Sequence, residues 1–387
     1  MTTQRGSGQP TVGIVGAGQL ARMTALAAAG MDVRVAVLTE DPGAPAVAAG
    51  AFHVHGEERS LEGLRALAAV SDVITFDHEG VPPAVLREFA HDGVPMRPHP
   101  AAQLMAQDKV VQRETLGGRL GLPVPAHRVV ASREDVEAFA ADAGWPVVLK
   151  LSSGGYDGRG VWFIDDAAGA DEALSAAQEV GTSVLAEERV ELDYELAVLV
   201  ARTEDGRRVV YPPVHTVQRD GMCREMAIPA APAPAALRQD AEDLAVAIAE
   251  GIDAVGIMAV ELFVHDGRLL INELALRPHN SGHWSLGGAV TSQFENHLRA
   301  VLGWPLGITR PVAPAVACAN VIGPDSPDSL STRLPDALTV AGALVQLYGK
   351  ESRPGRKLGH VTAIGDDVDE ARDRARRAAA LLEGGSA

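Results

Sequence analysis

The chain has 387 residues, 47% of them hydrophobic and 22% charged, with a formal net charge of −17. That length exceeds one small core and predicts two or three domains. The acidic balance excludes non-specific binding to nucleic acid or to an anionic membrane, since phosphate contacts need a basic surface, but it leaves room for a local basic pocket.

The first ten residues, MTTQRGSGQP, are polar and lack the apolar run of a signal peptide. Residues 11–15 form a short apolar run that ends in glycines, and 19–29 reads as a helix. Apolar runs at 33–38 and 70–76 follow, with a Pro/Gly turn at 41–45 between them. Strands alternating with helical patterns predict a parallel α/β domain, with the Pro-bearing segment 94–100 as its exit. The middle changes character. Residues 145–151 run into a Gly-rich turn at 154–160 and resume at 161–164, which is the pattern of a hairpin. Strands are expected at 184–187, 194–200 and 208–211, then a helix at 235–250 and two strands at 256–264 and 268–273. The Gly- and Pro-rich stretch 303–314 reads as a linker, followed by short strands, a basic loop at 350–357 and a last helix at 367–382.

The most apolar long stretch, 244–264, carries Glu250, Asp253 and Glu261 and is no membrane span. Cys223 and Cys318 lack the spacing of a zinc site or a disulfide framework. A cytoplasmic protein is the expectation.

Gly13 to Ala21, GIVGAGQLA, fits a dinucleotide-binding fingerprint, and Glu40 lies about where a ribose-binding acid would sit. Any tight strand-to-helix turn wants such glycines. What either reading shares is a helix N-terminus at 18–20 that favours an anion.

Four segments carry chemistry. Lys150 ends an apolar strand just before the loop Gly154–Gly160, where backbone N–H groups can approach phosphate oxygens while Lys150 and Arg159 supply positive charge. Glu187-Glu188-Arg189-Val190 follows another apolar strand, with Glu195 beyond, and offers backbone groups and carboxylates to a base and a ribose. Glu261 lies on one strand and Asn272-Glu273 on the next, a pair of carboxylates suited to Mg²⁺ on nucleotide phosphates. Arg277-Pro278-His279-Asn280-Ser281-Gly282-His283 then offers several donors in an irregular turn, where a small anion would meet a γ-phosphate.

In this order, the four segments resemble the ATP-grasp superfamily. The strings GGYDGRG (154–160), NELALRPHNSGHW (272–284) and YGKESRPGRKLGHV (348–361) closely resemble the N5-carboxyaminoimidazole ribonucleotide synthetases, over nearly the whole chain. The resemblance implies α/β and α+β architecture in three parts: an open parallel pre-ATP-grasp domain at 1–103, an ATP-grasp domain at 104–305 with a nucleotide-capping part at about 123–190, and a small C-terminal domain at 306–387. It implies ATP-dependent carboxylation of aminoimidazole ribonucleotide by bicarbonate, with ATP and Mg²⁺, in a homodimer. By resemblance, ATP is bound by Lys109, Lys150, Gly155, Tyr156, Asp157, Gly158, Arg159, Gly160, Val161, Glu187, Glu188, Arg189, Val190, Glu195, Gln218, Asn272 and Glu273. The metal falls to Glu261 and Glu273, and bicarbonate and carboxyphosphate to Arg277, His279 and Asn280, which with Lys150 make the catalytic group. The ribonucleotide falls to Gln19, Tyr156, Asp157, Lys350, Arg356 and Lys357, and to Asp77 or Glu79. Lys109, Gln218 and Leu276 stand where some relatives carry Arg, His and Pro.

Strand parity adds a geometric expectation. Side chains alternate faces, so Glu261 and Glu273 share a face only if their connecting turn has an odd length. A three-residue loop, His265-Asp266-Gly267, with Gly267 in the left-handed position, is therefore predicted.

Overall fold

The computed structural model describes residues 8–154, 160–219, 221–324 and 330–385. Its first sheet holds four parallel strands, β1 (Thr11–Val15), β2 (Arg34–Thr39), β3 (Phe52–His55) and β4 (Val73–Phe76), in the order β3-β2-β1-β4. Every residue of β1 and β4 is buried, as a parallel sheet covered on both faces requires. Helix Gln19–Ala29 covers one face through Ala21, Ala25 and Ala28. Helix Leu61–Ala68, N-capped by the Ser60 hydroxyl, covers the other through Leu64 and Leu67.

The second sheet is antiparallel: β5 (His127–Val130), β6 (Val147–Leu151), β7 (Val161–Ile164) and β8 (Val184–Glu188), in the order β5-β8-β6-β7. The expected hairpin is β6–β7, with Val147 opposite Ile164 and Lys150 opposite Val161. Helices Arg133–Ala143 and Ala170–Val180 back this sheet through Val136, Phe139, Ala173 and Ala177.

The third sheet contains β9 (Tyr194–Arg202), β10 (Arg208–Val210), β11 (Val214–Arg219), β12 (Met222–Ile228), β13 (Gly256–His265), β14 (Arg268–Ala275), β15 (Ala315–Ile322), β16 (Ala343–Leu347) and β17 (Lys357–Gly365). The order is β14-β13-β9-β11-β12-β15-β17-β16, with β10 on β9. Helix Ala235–Gly251 packs its Ala241, Ala245 and Ile248 against Val198, Val200 and Val260. The C-terminal strands thus extend the central sheet, because β12 pairs antiparallel with β15 from Glu225–Ala319 to Ile228–Val316. The last helix, Val368–Glu383, is capped by Asp367 and buries Ala371, Ala375 and Ala378 against β15 and β17.

The stretch 303–314 is irregular, as its prolines demand, but it is fastened down. Thr291 donates to the Ile308 carbonyl at 3.0 Å and Gly307 to Asn296 Oδ1 at 2.7 Å. The β13–β14 turn corrects the parity expectation. His265 pairs with Arg268 across a two-residue turn in which both Asp266 and Gly267 have positive φ, 48° and 68°. That is the two-residue geometry that matches strand twist, and Asp-Gly supplies it.

Candidate active site

A two-residue turn alone would set Glu261 opposite Asn272 and send Glu273 to the far face. The ladder instead slips by one residue: Leu262 pairs with Ile271 but Glu261 pairs with Glu273, leaving Asn272 as a β-bulge. The two carboxylates therefore face each other directly, by a route other than the predicted odd loop. Glu195, on β9 opposite Phe263, lies on the same face. Burial and the neighbouring Glu273 and Glu195 push the Glu261 carboxyl up, whereas Lys109 and His279 outweigh burial and hold Glu273 down.

Basic groups ring this acidic face. Lys109 starts a short helix capped by Asp108, and its N–H donates to the Ser152 carbonyl at 2.7 Å, which ties it to the end of β6. Its Nζ stands 3.5 Å from Glu273, and His279 Nε2 stands 3.7 Å from Glu261 Oε1. Lys150 Nζ lies 2.5 Å from Glu187 Oε2 and donates to Asn272 Oδ1 at 3.4 Å. Arg113, which the sequence reading did not single out, binds the other oxygen of Glu187 through Nε at 2.6 Å. Arg113 and Glu187 are each 1% exposed. Burial alone would raise the Glu187 carboxyl, but Lys150 and Arg113 bring it down to about 2; burial in turn lowers the Lys150 ammonium. The Glu187 carboxylate is thus committed within the protein. A ribose contact at 187–190 would have to come from its backbone or from other side chains. Glu188 accepts from the Ala126 N–H at 2.8 Å, and Arg189 lies over the Phe163 ring. Gln218, on β11, donates to Glu195 at 3.4 Å.

The acids after β4 take separate directions. Asp77 accepts from the N–H groups of Gly18 (2.6 Å) and Ala21 (3.0 Å), so it caps helix Gln19–Ala29 and occupies the anion site that the fingerprint offers. A Cβ at Gly18 would lie 2.6 Å from Asp77 Oδ2, so the glycine serves this internal cap. Asp77 therefore faces the helix. Glu79 instead pairs with Arg277, at 2.8 Å from its Nε.

In the turn after β14, His279 Nδ1 meets the Ser281 hydroxyl at 2.9 Å, leaving Nε2 toward Glu261. Asn280 Nδ2 is buried with no hydrogen-bond partner among the described residues. His283 is core: 1% exposed, it stacks on His360 with centroids 4.9 Å apart and meets Tyr348 edge-on. Tyr348 also packs with Leu20 and Met23, which brings the basic loop beside Gln19 at the start of the first helix. Lys350 sits 5.8 Å from the Tyr348 ring centroid, Arg356 donates to the Glu351 carbonyl at 3.2 Å, and Lys357 is near enough to Glu261 to oppose in part the rise of its carboxyl. The positions read as phosphate-binding at Gly155, Tyr156, Asp157, Gly158 and Arg159 lie outside the described residues; Gly160 and Val161 resume the hairpin.

Among the described residues no group of three or more His, Cys, Asp or Glu could hold a metal alone. Glu261 and Glu273 provide a two-carboxylate face, the usual protein share of a Mg²⁺ site completed by nucleotide phosphates and water. No described helix is long and apolar enough to cross a membrane.

Comparison with known proteins identifies the family. Three family descriptions match in chain order: the ribonucleotide synthetase preATP-grasp domain over residues 10–107, the ATP-grasp domain over 116–294, and the phosphoribosylaminoimidazole carboxylase C-terminal domain over 317–374. The N5-carboxyaminoimidazole ribonucleotide synthase of Mycobacterium tuberculosis (strain ATCC 25618 / H37Rv) is 45% identical over 97% of this chain and 88% of its own length. That of Corynebacterium ammoniagenes is 40% identical over 97% and 92%. Among solved structures, the Aspergillus clavatus enzyme in complex with ADP and 5-aminoimidazole ribonucleotide is similar with a TM-score of 0.88, at 32% identity over 97% of this chain and 99% of that one.

Proposed function

The chain belongs to the N5-carboxyaminoimidazole ribonucleotide synthase family of ATP-grasp ligases, and on that premise we propose how its own residues divide the work. The reaction is the ATP-dependent carboxylation of 5-aminoimidazole ribonucleotide in purine biosynthesis. In the proposed sequence a bicarbonate oxygen attacks the γ-phosphorus of ATP and ADP leaves. The 5-amino group then attacks the carboxyl carbon of the resulting carboxyphosphate, and phosphate leaves as the amine loses a proton.

The observation that carries this assignment is the facing pair Glu261–Glu273, with Asn272 between Glu261 and Lys150. Burial and the facing Glu273 raise the Glu261 carboxyl, and a divalent cation between the two would favour the ionised form of both, so the pair fits Mg²⁺. When bound, Mg²⁺ would neutralise charge on the transferring phosphoryl group. Lys150, oriented by Glu187, would contact the phosphates, and Lys109 would contact them from the Glu273 side. Glu188 to Val190, Glu195 and Gln218 would hold the nucleoside. Arg277, aligned by Glu79, would with His279 and Asn280 hold bicarbonate and carboxyphosphate. Gln19, Lys350, Arg356 and Lys357 would hold the ribonucleotide. The proposal includes the division at residues 103 and 305, a homodimer, and a cytoplasmic location. Transfer of label tests the intermediate: with ¹⁸O-bicarbonate, carboxyphosphate delivers one bicarbonate oxygen to the released phosphate, and phosphate free of label would exclude it.

A further inference from the structure

We propose that Arg113 is a positioning residue for the divalent-cation pair, acting through the bulge at Asn272 and not merely through its ion pair with Glu187. The inference rests on reading Glu261 and Glu273 as the cation-holding pair. A bulge takes one residue out of the ladder, and its backbone polar groups then need other partners. Arg113 supplies one: its Nη2 donates to the Asn272 carbonyl at 2.6 Å, while its Nε donates to Glu187 Oε1 at 2.6 Å. The guanidinium therefore spans two sheets, fixing the extra residue of β14 against β8.

Without the slip at Asn272, parity would send Glu273 to the opposite face from Glu261, so whatever stabilises the slip stabilises the pair. The side chain of Asn272 points the same way. Its Oδ1 accepts from Lys150 and its Nδ2 donates to Glu261, both at 3.4 Å. Arg113 is 1% exposed, and its Nη1 has no hydrogen-bond partner among the described residues. A buried guanidinium with an open donor is costly for an ion pair that Lys150 already provides to Glu187. Its planar fork, which serves two acceptors at once, is what a lysine could not reproduce.

Mn²⁺ binding to the enzyme–ADP complex, followed by loss of the free-ion EPR signal, reads the site without turnover. Wild type against Glu273→Gln tests the site itself: weaker binding is expected, and equal binding would overturn the site reading whatever Arg113 does. Arg113→Lys tests the inference, because it restores a charge beside Glu187 but has one nitrogen for two acceptors. We expect Mn²⁺ to bind about ten- to a hundredfold more weakly, with metal-free ADP affinity within about twofold of wild type. Wild-type Mn²⁺ affinity in Arg113→Lys would overturn the proposal. So would an equal loss of metal-free ADP affinity, which would mark Arg113 as acting through Glu187 and Lys150. Should Arg113→Lys not fold, Arg113→Gln leaves Glu187 paired to Lys150 and is judged by the same two affinities.

Discussion

The side-chain amide of Gln293 brackets His279: Oε1 accepts the His279 N–H at 2.9 Å and Nε2 donates to the His279 carbonyl at 2.8 Å. Nε2 also reaches His283 Nδ1 at 3.1 Å, and Gln293 is fully buried. One side chain thus fixes the turn that carries Arg277, His279 and Asn280. Gln293→Leu would take one partner each from the His279 N–H and carbonyl, the carbonyl keeping the Gly282 N–H at 2.9 Å, and should cost roughly 1–3 kcal/mol. The expected result is a lower Tm together with a kcat reduced more than the KM for ATP. A lower Tm with unchanged kcat would show that the turn keeps its shape without the amide.

The Arg113–Glu187–Lys150 group predicts an acid limb of stability. Glu187 ionises at about 2 in the folded chain, below its ordinary 4.5, so its contribution is present above about pH 4.5 and lost as pH falls toward 2. Glu187→Gln has no such titration and leaves two buried cations short of a partner, a change of about 3–5 kcal/mol where the carboxylate is charged. The stability gap between wild type and Glu187→Gln, from denaturant unfolding at pH 6 down to pH 3, should therefore narrow as pH falls. A gap independent of pH would mean that Glu187 is not the ionised partner.

Lys150→Met keeps the stem of the side chain and leaves Glu187 paired to Arg113. Turnover should fall by roughly a hundredfold or more while circular dichroism remains that of wild type, since the ammonium acts on phosphate charge. Near-normal kcat at saturating ATP would remove Lys150 from the catalytic group.

Much of this site was legible because the relevant signals are local. A Lys closing an apolar strand before a Gly-rich loop, two carboxylates on neighbouring strands and a donor-rich turn can all be read within a few residues. What escaped depends on pairing across the fold. The bulge at Asn272 has no local mark, and Gly267 looked like the end of an odd loop when Asp266 also adopts positive φ. Arg113 was not singled out because its partners lie far along the chain, on β8 and β14. Asp77 stood level with Glu79 as an alternative substrate ligand because the helix it caps lies more than fifty residues earlier. The β11–β12 hairpin was missed because its Arg, Gln and Glu break the apolar run that a central strand usually shows. Likewise, nothing in 315–365 announces that β15 pairs with β12.

The basic loop makes a prediction confined to one substrate. Arg356 donates to the Glu351 carbonyl, and the loop reaches the first helix through Tyr348. Arg356→Ala should raise the KM for the ribonucleotide about ten- to a hundredfold, the worth of a charged hydrogen bond to phosphate. The KM for ATP should stay nearly unchanged. Loss of ATP affinity, or no loss at all, would assign the loop another role.

The most direct test of the central claim, that the Glu261–Glu273 face serves a bicarbonate-dependent carboxylation, is ADP release with each reactant omitted in turn. Wild type in the complete mixture should release ADP in step with formation of the carboxylated ribonucleotide. Release should stop without bicarbonate, and Glu273→Gln should be silent in the complete mixture. Coupled ADP release that continues without bicarbonate, or that survives in Glu273→Gln at the wild-type rate, would contradict the account.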